Sequence, residues 1–160
     1  MTNSANTTPL QQQFTTLLSS VQVLEKKTAK IFEKMAKAAY TPELTKCLSP
    51  ISTDIEKHIE RINLIIKSCR IQLPKVNKPM VTNERLGKPT AEQDLKIIAE
   101  ALKFQHLKLA YYEFLHPVAA AEGMDIEATL IEQTISDQRN TNTWLRQIVQ
   151  NILAPVLQEN

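Results

Sequence analysis

Glu25, Asp54, His58, Gln105 and Asp137 are far apart in the chain, yet each falls on the inward stripe of a helical stretch, near that stretch's midpoint. Carboxylates and an imidazole that converge at one height between helices have two uses. They can hold a pair of metal ions, which takes a Glu from each of two helices and a Glu-x-x-His from each of the other two. The spacing matters because residues i and i+3 project to the same side of a helix. Alternatively they hydrogen-bond one another as a polar core layer, and must then be paired, because an isolated buried charge is costly.

Ligand count separates the two. The chain has a single Glu-x-x-His, Glu113-Phe-Leu-His116, set beside Pro117. The mid-height layer offers three carboxylates and one imidazole, against about four and two for a di-iron centre. The sequence therefore predicts a structural, metal-free layer, with no metal ligand, catalytic residue or cofactor assigned; the alternative is a metal-binding, di-iron type oxidoreductase or storage protein. His106 reads as a boundary residue, and Trp144 and Tyr111-Tyr112 as core or interface aromatics rather than a cofactor pocket. No Gly-rich phosphate loop, nucleophile elbow or zinc spacing occurs, which points away from an enzyme.

Four helical stretches must position these residues. The first covers about 10–39, with Leu18, Val21, Glu25, Thr28, Phe32 and Met35 spaced by three and four. Thr41-Pro-Glu restarts the chain with an N-cap, a Pro at the first helical position and an acid in the first turn, so the second helix must be an antiparallel neighbour. It covers about 42–70, with Cys47, Ile51, Asp54, His58, Ile62, Ile65 and Cys69 inward and Pro50 either kinking it or restarting it behind Ser49. Residues 71–89 hold Pro74, Pro79, Gly87 and Pro89. A connection of that length suits a crossover along the bundle. Thr90-Ala-Glu-Gln93 reads as a capping box opening a third helix to about 122, its stripe Leu95, Ile98, Leu102, Gln105, Leu109, Tyr112 and His116. Pro117 should bend it, Gly123 end it in the left-handed conformation, and Asp125 cap a fourth helix over about 126–157. That helix presents Leu130, Thr134, Asp137, Thr141, Leu145, Ile148 and Ile152. The fold class follows: all-α, a ferritin-like four-helix bundle at 10–160 with a long crossover between the second and third helices, preceded by a disordered tail at 1–9.

Composition agrees. Two glycines in 160 residues cannot supply the turns of an all-β fold, whereas a few long helices need almost none. A net charge of +2 gives no argument for nucleic acid or an anionic membrane as partner. No apolar run approaches the ~20 residues that span a bilayer, and the polar N-terminus lacks signal-peptide regions. A cytoplasmic protein is expected, with Cys47 and Cys69 as buried reduced thiols, placed by a single second helix roughly 33 Å apart. Second apolar rows, Ile55, Ile59, Ile62 and Ile66 on the second helix and Ile131, Ile135, Val149 and Val156 on the fourth, predict a homodimer.

The run Leu24-Glu-Lys-Lys27, the run Glu33-Lys-Met-Ala-Lys-Ala-Ala39, Thr41-Pro-Glu-Leu44 and His58-Ile-Glu-Arg61 together resemble the first helical hairpin of the bacterial YciE/YciF-type ferritin-like proteins. Gln105-His106, Ala110, Tyr112 and Leu130-Ile-Glu-Gln-Thr134 resemble their later helices. The likeness covers about 110 residues of the chain. It implies a compact bundle that tends to dimerise and is associated with stress responses without an established reaction. Glu25, His58, His106 and Glu132 match the family pattern. Gln105, Lys108 and Ser136 stand where it tends to be acidic, and Ile51 where a histidine is usual, so the resemblance implies a degenerate metal site. The connection 71–89 is shorter than the family's. The expected function is that of an uncharacterised, stress-associated structural or interaction protein.

Overall fold

A computed structural model describes residues 7–70, 72–76 and 86–159. Helix α1 spans Pro9–Ala38, opened by Thr8 and Gln11 as a reciprocal capping box with Pro9 at the first helical position. Of the predicted tail, residues 1–6 lie outside the described residues, while Thr8 and Pro9 belong to the start of this helix. The whole predicted stripe of α1, from Leu18 to Met35, is buried.

The second helical stretch is three pieces rather than one: α2 (Pro42–Cys47), α3 (Pro50–Thr53) and α4 (Ile55–Ser68). The residue before a proline is disfavoured in helical conformation, so α2 ends ahead of Pro50, and Ser49 caps α3 by accepting from Ser52 N. A second break follows at Asp54, in the left-handed region at φ 55°. Each break resets the helical phase. Ile51 and Asp54, expected inward, therefore turn away: Ile51 is 88% exposed and Asp54 faces Lys57 at 3.5 Å. Counting starts afresh on α4, and His58, Ile62 and Ile65 are buried. Cys47 and Cys69 consequently sit on different elements. Cys47 is buried and Cys69 half-buried at the C-cap of α4. Burial pushes the Cys47 thiol up to about 12 and raises that of Cys69.

Helix α5 spans Ala91–Ala121 and continues through Pro117. Only half of the expected capping box forms: Thr90 accepts from Gln93 N, but the Gln93 side chain instead donates to the carbonyls of Ala38 and Gly87. Gly123 at φ 72° ends the helix as expected. Helix α6 spans Asp125–Ile148, with Met124 as N-cap and Asp125 one position inside it. A π turn at Val149–Leu153 and a short α7, Ala154–Gln158, complete the chain. The π turn precedes Pro155, which lacks the N–H of an α-helical turn and whose ring crowds the carbonyl four residues back.

Side-chain bonds fix the topology. Gln22 meets Asn63 and Glu25 meets His58, in reversed order along the two helices, so α4 runs antiparallel to α1. Tyr40 and Thr41 meet Asp94 at one end of α1, and Gln11 meets Glu122 at the other, so α5 is also antiparallel to α1 and hence parallel to α4. Two parallel neighbours put the end of α4 and the start of α5 at opposite ends of the bundle, as a crossover over 71–89 requires; of that connection, 71 and 77–85 lie outside the described residues. Its described ends agree: Leu73 packs on the apolar cluster around Phe14, Leu18, Ile65 and Leu115, and Leu86 on the one around Phe32, Leu44, Ile98 and Leu145. The core thus consists of two apolar clusters, one toward each end of the bundle.

Candidate functional site

Between the two clusters lies a slab of buried polar side chains from all four long helices. Thr28 and Glu25 come from α1, His58 from α4, Gln105 and Lys108 from α5, and Thr141, Gln138 and Asn142 from α6. Glu25 is its centre, fully buried. Its Oε2 accepts from the Tyr112 hydroxyl at 2.7 Å, with His58 Nδ1 3.3 Å away. Its Oε1 lies 2.8 Å from Lys108 Nζ, an ion pair by distance that is not aligned as a hydrogen bond. The aliphatic stem of Lys108 leads its ammonium over the Phe32 ring, 5.4 Å from the centroid, and Phe32 meets Phe104 edge to face.

The network continues outward through the imidazole. His58 Nε2 is 3.3 Å from Asp137 Oδ2, which accepts from Arg61 Nη1 at 2.7 Å; the same guanidinium nitrogen donates to Thr134 Oγ1. Asp137 lies at the rim of the slab, 22% exposed. Burial alone would raise the pKa of the Glu25 carboxyl, but the Lys108 ammonium, followed by His58, more than offsets it and holds the group at about 2. Burial, followed by the Glu25 carboxylate, pushes the Tyr112 phenol well above its ordinary range, so it stays a neutral donor.

The slab thus collects Glu25, His58, Gln105 and, at its rim, Asp137. Asp54 does not take part, because the break before α4 turns it outward. The Glu113-x-x-His116 motif also faces away: Glu113 pairs with Arg139 at 3.2 Å, and His116 stands 3.9 Å from the exposed Glu132. His106 is exposed. The helical stripes missed Lys108, Arg61, Gln138 and Asn142 as members, although the resemblance set Lys108 where the family tends to be acidic. For Lys108 a signal existed, since it lies three residues after Gln105 and four before Tyr112 on one face of α5.

Charge and direction decide what this arrangement can hold. Glu25 and Asp137 are matched one for one by Lys108 and Arg61. A divalent ion would add charge with no carboxylate left to balance it. The two carboxylates also approach opposite nitrogens of one imidazole ring, so they cannot close on one ion together with it. Among the described residues, no three of His, Cys, Asp and Glu are grouped to hold a metal. The donor set does not fit the di-iron centre that this type of bundle can carry.

Similarity to known proteins can be set beside this geometry. A family model described as a domain of unknown function, DUF892, matches residues 9–156. No curated protein sequence matches. The crystal structure of the Escherichia coli stress protein YciF is similar at 21% identity, covering 90% of this chain and 96% of that one with a TM-score of 0.77. YcfI from Rhodopseudomonas palustris, which carries a provisional structural designation, gives 19%, 91%, 98% and 0.74 in the same order. A protein from Xanthomonas campestris gives 18%, 95%, 98% and 0.75. At these identities the likeness establishes the fold alone.

Proposed function

We propose for this chain, which belongs to the DUF892 family of domains of unknown function, a metal-independent structural or interaction role in the cytoplasm, associated with stress, rather than catalysis. The observation that carries this reading is the ammonium of Lys108 against the Glu25 carboxylate, in the slab where a metal pair would need acids. A built-in cation supplies the positive charge that balances this carboxylate, so the bundle keeps its core closed without a metal. The names of YciF as a stress protein and of YcfI as structural support the same direction. In this reading the protein works as a homodimer and binds neither nucleic acid nor membrane. Among the described helices none is long and apolar enough to cross a membrane.

The test is metal loading. Protein purified without chelator and incubated anaerobically with ferrous iron should retain well under one ion per chain by elemental analysis. Lys108→Glu, which exchanges the internal cation for a carboxylate, should retain more iron than the unsubstituted chain. Two ions per unsubstituted chain, lost together in Glu25→Ala or His58→Ala, would overturn the proposal in favour of a di-iron oxidoreductase or storage protein.

A further inference from the structure

The ion network leaves part of the slab unexplained. Gln105, Gln138 and Asn142 are at most 2% exposed, yet Gln105 Oε1, Asn142 Oδ1 and both polar atoms of the Gln138 amide have no hydrogen-bond partner among the described residues. They belong to one place. Gln138 and Asn142 are one turn apart on α6, Gln105 and Lys108 one turn apart on α5, and these helices pack extensively on each other. Above and below them lie the two apolar clusters.

A buried polar atom left without a partner is costly. Four of them would remove a large part of the small net stability of a folded domain. Three of the four atoms accept and one donates, and Lys108, one turn along α5 from Gln105, carries an ammonium with three N–H donors and one carboxylate oxygen at 2.8 Å. An alkali cation placed among the amide oxygens would be repelled by that ammonium. An anion would face three amide oxygens and Glu25. A neutral molecule that both donates and accepts satisfies all of them.

We propose that the α5–α6 half of the slab is a binding site for internal water, about two molecules at the usual three hydrogen bonds each, held by Gln105, Gln138, Asn142 and the ammonium of Lys108. The waters complete the hydrogen bonding of the lysine that the metal-free reading places at the centre of the site, and the assignment rests on that reading. They make the slab a wet layer between two dry clusters.

Oxygen-17 relaxation dispersion on the full chain, with nuclear Overhauser contacts from water to the side-chain amides, tests this. The expected result is about two long-lived waters with contacts to the Gln138 amide protons, and loss of at least one in Gln138→Leu. Asn142→Leu, which removes the unpartnered Oδ1 with the rest of that amide, provides the same readout should Gln138→Leu fail to fold. Absence of long-lived water in the unsubstituted chain overturns the proposal, as does an unchanged count in whichever variant folds. A thermal stabilisation specific to sodium or potassium would also overturn it, by showing a cation site. Iron content measured on the same sample separates the two readings: bound iron defeats the metal-free reading, whereas an iron-free but dry slab defeats only the water.

Discussion

At the scale of single residues, Glu25 and Lys108 depend on each other at the middle of the fold. Neither group has bulk solvent to fall back on, so deleting one partner leaves an uncompensated buried charge, at about 3–5 kcal/mol. Glu25→Gln and Lys108→Met should each cost about that much in urea denaturation, while the double Glu25→Leu, Lys108→Met variant should recover most of the loss. Additive losses in the double variant would show that the two residues do not interact. The same pair sets an acid limit. A carboxyl held at about 2 in the folded chain, against 4.5 for an unperturbed glutamate, contributes stability that is complete above pH 4.5 and disappears as pH falls toward 2. The lowering corresponds to about 3 kcal/mol, which the double variant should no longer lose over that window. Glu25 and His58 were legible as members of this site because polar residues interrupted apolar stripes of unbroken phase. Lys108 was harder to read despite sharing a face of α5 with Gln105 and Tyr112, because a charged residue on a stripe ordinarily reads as a boundary position whose long stem carries its head to solvent. Only the facing Glu25, more than eighty positions away in the chain, turns it inward.

At the scale of elements, the helices were legible where their periodicity ran unbroken and lost where local breaks reset it. The first helix shows the former, since every residue of its predicted stripe is buried. The second shows the latter. Pro50 announced one break, but the left-handed turn at Asp54 carried no glycine to mark it, and Ile51 and Asp54 were misplaced as a result. Asp94 is another residue that sequence periodicity does not reveal, because its partners belong to a different connection. It is fully buried in the first turn of α5 and accepts from Tyr40 N, Thr41 N and the Thr41 hydroxyl at 2.8 to 2.9 Å. It thereby ties the crossover's far end to the turn between α1 and α2. Three bonds to a charged acceptor, each worth about 1.5–3 kcal/mol, make this a principal joint of the bundle. Asp94→Asn must present an N–H₂ toward backbone donors at one of its two positions. It should lose at least 2 kcal/mol by denaturation, with faster hydrogen exchange at Tyr40 and Thr41. Protection at those two amides equal to the unsubstituted chain would show that the turn stands without Asp94.

At the scale of the whole molecule, the apolar surface decides the assembly. The second rows that suggested a partner are partly absorbed within the chain: Ile55, Ile62, Ile131 and Ile135 are all buried in the protomer, because α4 and α6 each pack on more than one neighbour. Their burial weakens the original reason for expecting a dimer, although Val156 stays 50% exposed, and shifts attention to what else stays outside. On α5, Leu107 is 38% and Phe114 43% exposed, two turns apart on one face, with the exposed Ala110 between them. That helix is apolar on its inner sides as well, so this outer strip is apolar surface beyond what the core requires. A strip of this kind pairs most simply with its own copy across a two-fold axis, the commonest oligomer symmetry. Sedimentation equilibrium at micromolar concentration should accordingly return twice the 18.1 kDa of the chain. Phe114→Asp should shift the mass toward that of the single chain without changing the helical circular dichroism spectrum. A mass of one chain across the concentration range would end the homodimer proposal, and a Phe114→Asp protein that remains dimeric would move the interface off α5.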